Sequence, residues 1–200
     1  MELQFSPNAP SARKFQIMLR EKGLLGAVPE KPGFIVGQVG GKPVAHTMQQ
    51  TTVLFDDRGE PIVDAPDIIH ALDTKGSGPR LVPEDGTARM GALRLLVLAD
   101  GALEMGVQIF LSESAPAGEE KTYWVERWTK AIDTGLAAAE QMAPKAEPLT
   151  IGGIAMATTL TWFDAQLPEV VWKAKSPALA KLQSTLEKRP SFRDVRVSGT

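Results

Sequence analysis

The sequence predicts an α/β domain followed by an all-helical domain. Three observations carry this. Up to about residue 76, short runs rich in β-branched and aromatic residues alternate with turn formers and amphipathic helical stretches. A Gly- and Pro-rich stretch, reaching from Thr74 through Pro79 to Gly86, then interrupts the pattern. Beyond it, Pro is absent from Thr87 to Leu111 and apolar residues recur at helical spacing. The expected division is 1–76 for the α/β domain, 77–86 for the linker and 87–200 for the helical domain.

Composition limits the chemistry before any motif is weighed. The chain has 200 residues, 43% of them apolar and 23% charged, enough for one large domain or two small ones. Its net charge of −2 supplies no basic surface for nucleic acid. Cys is absent, which excludes disulfides, thiolate metal sites and a cysteine nucleophile from this chain. The two His, His46 and His70, are too few and too isolated for a metal site. The N-terminal MELQFSPNAP has neither a basic nor an apolar leader region, and no apolar run is expected to span a bilayer, so a cytoplasmic protein without membrane contact is the expectation.

In chain order, Leu3–Phe5 reads as a strand and Ser6–Pro10, with two prolines, as a loop. Ser11 then stands at a helix N-cap, Phe15, Met18 and Leu19 share one face, and Gly23 is a stop. A loop running into a helix N-terminus presents free N–H groups to an anion. From Leu24 to Gln50 the Gly and Pro density predicts a strand near Val28 and an irregular or weakly helical connection. Gly37–Lys42 lacks phosphate-loop spacing, and Pro43 stands where a hydroxyl would be needed. Thr51–Phe55 predicts a strand, Asp56–Gly59 a turn, Pro61–Val63 a second strand, and Asp64 with Pro66 the start of a helix carrying Ile68, Ile69 and Leu72. A hairpin feeding straight into an amphipathic helix is the second half of a thioredoxin-like domain, giving a βαβ-α-ββα order.

In the second half, Met90, Leu93, Leu96, Val97, Met105 and Ile109 predict one long helix. Trp124, Trp128, Ile132 and Leu136 predict another over Glu119–Met142. The mostly apolar Ile154–Phe163 predicts a helix buried in a bundle, and Ser176-Pro177 opens a last one through Leu179, Leu182 and Leu186. Asp100, a charge inside an apolar helix, reads as a capping or domain-bridging carboxylate. The tryptophans read as helix-packing residues, with one available to line a pocket.

This ordering, together with Ser6-Pro7-Asn8-Ala9-Pro10-Ser11-Ala12-Arg13-Lys14, Glu21-Lys22-Gly23-Leu24, Val53–Asp57, Val63-Asp64, Ala99-Asp100-Gly101, Leu149-Thr150-Ile151 and Arg189-Pro190-Ser191-Phe192, resembles the glutathione S-transferase superfamily. The likeness is to the bacterial group with an SPxSPxxRKV-like N-terminus. It implies glutathione as co-substrate, a small hydrophobic electrophile as second substrate, and a homodimer.

Carried over residue by residue, the resemblance implies a site with departures. The family's thiolate-stabilising Ser aligns with Ala9, which leaves Ser11 and Asn8 as candidate donors, or as no more than a cap and a turn residue. The family's cis-Pro aligns with Thr52. Because a non-proline cis bond costs about 2.5–4 kcal/mol, Thr51–Thr52 is expected to be trans, with Pro43 as the alternative place for the cis-Pro. Thr51, Thr52 and Val53 would offer backbone to the cysteinyl moiety, as an added strand does. The family's acidic-Ser pair is Asp64-Ala65 here, so a hydroxyl grip on the γ-glutamyl carboxylate is lost while helix amides remain. Met105 and Gln108 are the expected wall of the electrophile pocket. Thr150-Ile151-Gly152-Gly153 keeps the Thr of a capping box without its acidic partner, which predicts a loose first turn. Two functions fit these residues: glutathione-dependent catalysis, or a non-catalytic binding or scaffold protein on the same fold.

Overall fold

The computed structural model describes residues 1–33, 38–39, 42–43, 52–114, 116–195 and 197, with 38–39 and 42–43 described by backbone alone. β1 (Glu2–Phe5) lies at the centre of a four-stranded sheet. It pairs in parallel with β2 (Glu30–Pro32) and antiparallel with β5 (Thr52–Phe55), which in turn pairs antiparallel with β6 (Pro61–Ile62). The β1–β5 register sets Phe5 opposite Thr52, so the loop leaving β1 starts beside the residue that opens β5. β3 (Gln38–Val39) and β4 (Lys42–Pro43) form a separate antiparallel ribbon where an irregular or weakly helical connection was expected. The rest of that connection, with Thr51 and His46, lies outside the described residues.

The second strand begins later than Val28. The Val28 N–H closes a turn onto the Leu24 carbonyl at 2.8 Å, which sends its side chain into the core, and pairing with β1 starts only where Leu3 N–H meets the Pro29 carbonyl at 2.9 Å. α1 (Ala12–Glu21) and α2 (Ala65–Lys75) pack together, Phe15, Ile17, Met18 and Leu19 from the one and Ile68, Ile69 and Leu72 from the other being buried.

The helical half consists of α3 (Gly86–Ser112), α4 (Glu119–Gln141), α5 (Ile151–Gln166), α6 (Pro177–Leu186) and the short α7 (Pro190–Arg193). α3 packs against both α4 and α5. By length and composition α3 could cross a membrane, contrary to the reading that no run is apolar enough; Arg94, Asp100 and Glu104 break the run in sequence without lowering its mean hydropathy below that of a span. In this fold it packs within the bundle, with Leu95, Leu96, Ala99, Ala102 and Leu103 buried.

α5 is buried from Ile151 to Leu160, and its first turn corrects the expectation of looseness. Thr150 Oγ1 accepts from Gly153 N–H at 3.2 Å, and Ile154 N–H reaches the Thr150 carbonyl at 3.0 Å. A Cβ on Gly152 would stand 2.3 Å from the Ala92 carbonyl oxygen of α3. The glycine therefore permits α3 and α5 to touch backbone to backbone, and packing outweighs its poor helix propensity.

Candidate functional site: a cleft between the two domains

One face of α1 ties the two halves together through charge. Lys14 Nζ donates to both oxygens of Asp100 at 2.7 Å, so Asp100 is the domain-bridging carboxylate that its place in an apolar helix suggested. Arg13 forms a two-pronged pair with Glu187 at 2.7 and 2.8 Å. At the other end of α1, Glu21 accepts from Arg189 at 3.0 and 2.9 Å and from Ser191. These charge-assisted bonds fix the lateral position of α1 against the bundle.

Beside Lys14 opens a cleft of about 660 Å³. One wall is the loop after β1, where Ser6, Asn8, Ala9, Pro10 and Ser11 line the space. Ser11 stands at the cap of α1 but in helical geometry (φ −64°, ψ −22°) and makes no side-chain capping bond, so its hydroxyl is not spent on the helix. The floor includes Thr52, only 6% exposed, whose hydroxyl has no hydrogen-bond partner among the described residues. The N-terminus of α2 closes a second side with Val63, Asp64, Ala65 and Ile68. Asp64 is extended (φ −86°, ψ 134°) and its carboxylate does not cap the helix, so the positive N-terminal end of α2, which borders the cleft, is left without a side-chain cap.

The third wall is α3, which contributes Asp100, Leu103, Glu104 and Val107. Those positions follow the i, i+3, i+4, i+7 rhythm of one helix face. The expected wall of Met105 and Gln108 is therefore corrected. Met105 faces α4 and borders a different cavity with Trp128 and Arg127, and Gln108 is exposed away from both. Stepping along the helix from Asp100 is the signal that would have found Leu103, Glu104 and Val107. Of the other expected site residues, Asn8, Ser11, Thr52, Asp64 and Ala65 meet around the cleft. Val53 is buried in β5 opposite Gln4 and does not line it, and Thr51 with its peptide bond to Thr52 lies outside the described residues. No tryptophan lines the cleft. Trp162 and Trp172 are buried, whereas Trp124, exposed, stacks on Trp128 at 5.8 Å.

A small mixed sheet in this order, flanked by two helices and joined to a helical bundle across a cleft, is the glutathione S-transferase fold. No family model matches the chain. Over 197 residues it is 24% identical to the uncharacterised GST-like protein YibF of Escherichia coli (strain K12), with 96% of each chain covered. It superposes with a TM-score of 0.82 on a glutathione transferase family member from Pseudomonas fluorescens Pf-5 holding S-(propanoic acid)-glutathione, at 28% identity and 98% coverage of both chains. A glutathione S-transferase from Methylobacillus flagellatus KT with glutathione bound superposes with a TM-score of 0.83 at 26% identity, covering 96% of this chain and 97% of that one.

Proposed function

We propose that the chain binds glutathione in this cleft and presents its thiolate to a small hydrophobic electrophile. The observation that carries the reading is the convergence of two helix N-termini and the unspent Ser11 hydroxyl on one cavity. The backbone at the start of β5, at Thr51 and Thr52, would take the cysteinyl moiety as an added strand. The α2 amides at Ala65 would hold the γ-glutamyl carboxylate, and Asp64 its ammonium. Ser11 or Asn8 donates to the sulfur, lowering the thiol pKa. The thiol proton passes to solvent, sulfur bonds to the electrophilic carbon, and the leaving group departs with its electron pair. Leu103 and Val107 supply the apolar wall for that partner. The glutathione-bound structures of similar fold support the same reading. A cytoplasmic homodimer completes it, carried over from the family resemblance.

Ala9, Thr52 and Ala65, at the positions where the family places its own glutathione contacts, favour weak binding. They also favour a second reading in which the fold holds a ligand without turnover. Calorimetry with millimolar glutathione separates these readings from no function at this cleft. The expected result is weak binding that Ala65→Ser tightens roughly tenfold, the value of one hydroxyl bond to a charged group. Binding retained with turnover lost in Ser11→Ala identifies the sulfur's donor. Absence of heat in both the natural protein and Ala65→Ser overturns the glutathione reading.

A further inference from the structure

The charges around the cleft are unevenly placed. On the α/β side, the ends of α1 and α2 that meet the cavity are both N-termini, which favour anionic groups. On the α3 side stand two carboxylates one helical turn apart, Asp100 and Glu104. Asp100 is neutralised through both oxygens by Lys14, the only cation among the described lining residues. Glu104 has no hydrogen bond or ion pair among the described residues, and it is flanked along the same face by Leu103 and Val107. Among the described residues, the half of the cleft opposite the helix termini is thus apolar, with one unpaired negative charge at its edge.

Resting on the glutathione reading above, we infer that Glu104 is a specificity-determining residue that selects electrophiles carrying a cationic group and rejects anionic ones. A ligand whose glutathione portion lies along the helix termini directs its sulfur substituent toward α3. There, a positive group on a short apolar arm can cross Leu103 and Val107 to reach Glu104. A carboxylate on the same arm would meet Glu104 with repulsion and no free cation among the described lining residues, since Lys14 is already held by Asp100.

The test measures binding and needs no turnover. Two S-substituted glutathiones of equal arm length, S-(propanoic acid)-glutathione and S-(3-aminopropyl)-glutathione, are titrated calorimetrically beside glutathione itself. Unit charges about 6–8 Å apart at a partly hydrated surface favour the amine over the acid by roughly tenfold or more in dissociation constant. The ratio shrinks as salt is raised. Glu104→Gln brings the ratio close to one and Glu104→Lys reverses it; because Glu104 is exposed, both variants fold, which unchanged melting curves check. Equal affinity for the two ligands, preference for the acid, or a ratio untouched by Glu104→Gln overturns the inference alone. No binding of any of the three ligands overturns the glutathione reading together with it.

Discussion

Removing the carboxylate of Asp73 tests the joint between the two halves. Asp73 and Lys22 are 2% and 1% exposed, and their charges meet at 3.3 Å. The carboxylate also accepts from the backbone N–H of Leu81 at 2.8 Å and of Val82 at 3.2 Å. Lys22 in turn donates to the carbonyls of Gly78 at 2.7 Å and Pro79 at 2.9 Å, so one buried pair secures the whole segment between α2 and α3. Asp73→Ala leaves a buried ammonium without its counter-charge and two N–H groups without acceptors. Breaking a buried pair from one side costs about 3–5 kcal/mol. For a chain of this length each kcal/mol moves the melting temperature by about 2–4 °C, so a fall of roughly 10 °C is expected. Thermal unfolding followed by circular dichroism at constant pH and salt measures it. The double variant Lys22→Met/Asp73→Leu removes both charges and recovers a large part of the loss, because the desolvation cost goes with the pair. A fall in Asp73→Ala smaller than about 3 °C, or a double variant no more stable than the single one, would refute this account of the joint.

Two neighbouring glycines in α5 should respond oppositely to alanine. Gly152→Ala forces a Cβ to 2.3 Å from the Ala92 carbonyl oxygen and 2.9 Å from Leu95 Cβ, and is expected to cost about 1–3 kcal/mol or more in urea unfolding. Gly153→Ala meets nothing nearer than Thr150 Oγ1 at 3.6 Å and is expected to be neutral or stabilising by up to about 1 kcal/mol. Acid titration of stability should reveal Glu21. Burial pushes its carboxyl up, but hydrogen bonds from Arg189 and Ser191, with the Arg189 charge, more than reverse this and hold it below the ordinary range. Its contribution is then fully present above the unfolded value of about 4.3 and lost as pH falls through the lower folded value. Glu21→Gln should flatten the acid limb of a stability-against-pH curve, and an unchanged limb would exclude Glu21 as its source.

The elements that the sequence announced are those with local signals. Pro66 and Pro177 fix helix starts, Gly59 takes the positive φ of 82° that its hairpin requires, and the β-branched run over 52–55 forms its strand. Asp100 was legible as a bridge because a charge in an apolar helix needs a partner. What escaped depended on distant contacts. The rotation of α3 about its axis is fixed by packing against α4 and α5, so Met105 and Gln108 could not be distinguished from Leu103 and Glu104 by composition. Gly152 reads as a helix weakener until Ala92 is seen against it. Whether Ser11 caps its helix is decided by backbone angles, which no residue type reveals.

The division of charge along α1 has a consequence for the architecture as a whole. Among the described residues, Arg13 and Lys14 find their counter-ions beyond the linker, in Glu187 and Asp100, as Glu21 finds its cation in Arg189. A polypeptide ending after α2 would strand two cations and one anion on its main helix and bare the apolar surface beneath them. The α/β half is in that sense not autonomous. It is expected to behave as an aggregation-prone fragment when made alone, and to become soluble only when the helical half is supplied in trans, which co-expression of the severed pieces would display. Evolution acting on such a chain could vary the cleft freely while holding its two halves to a common fate.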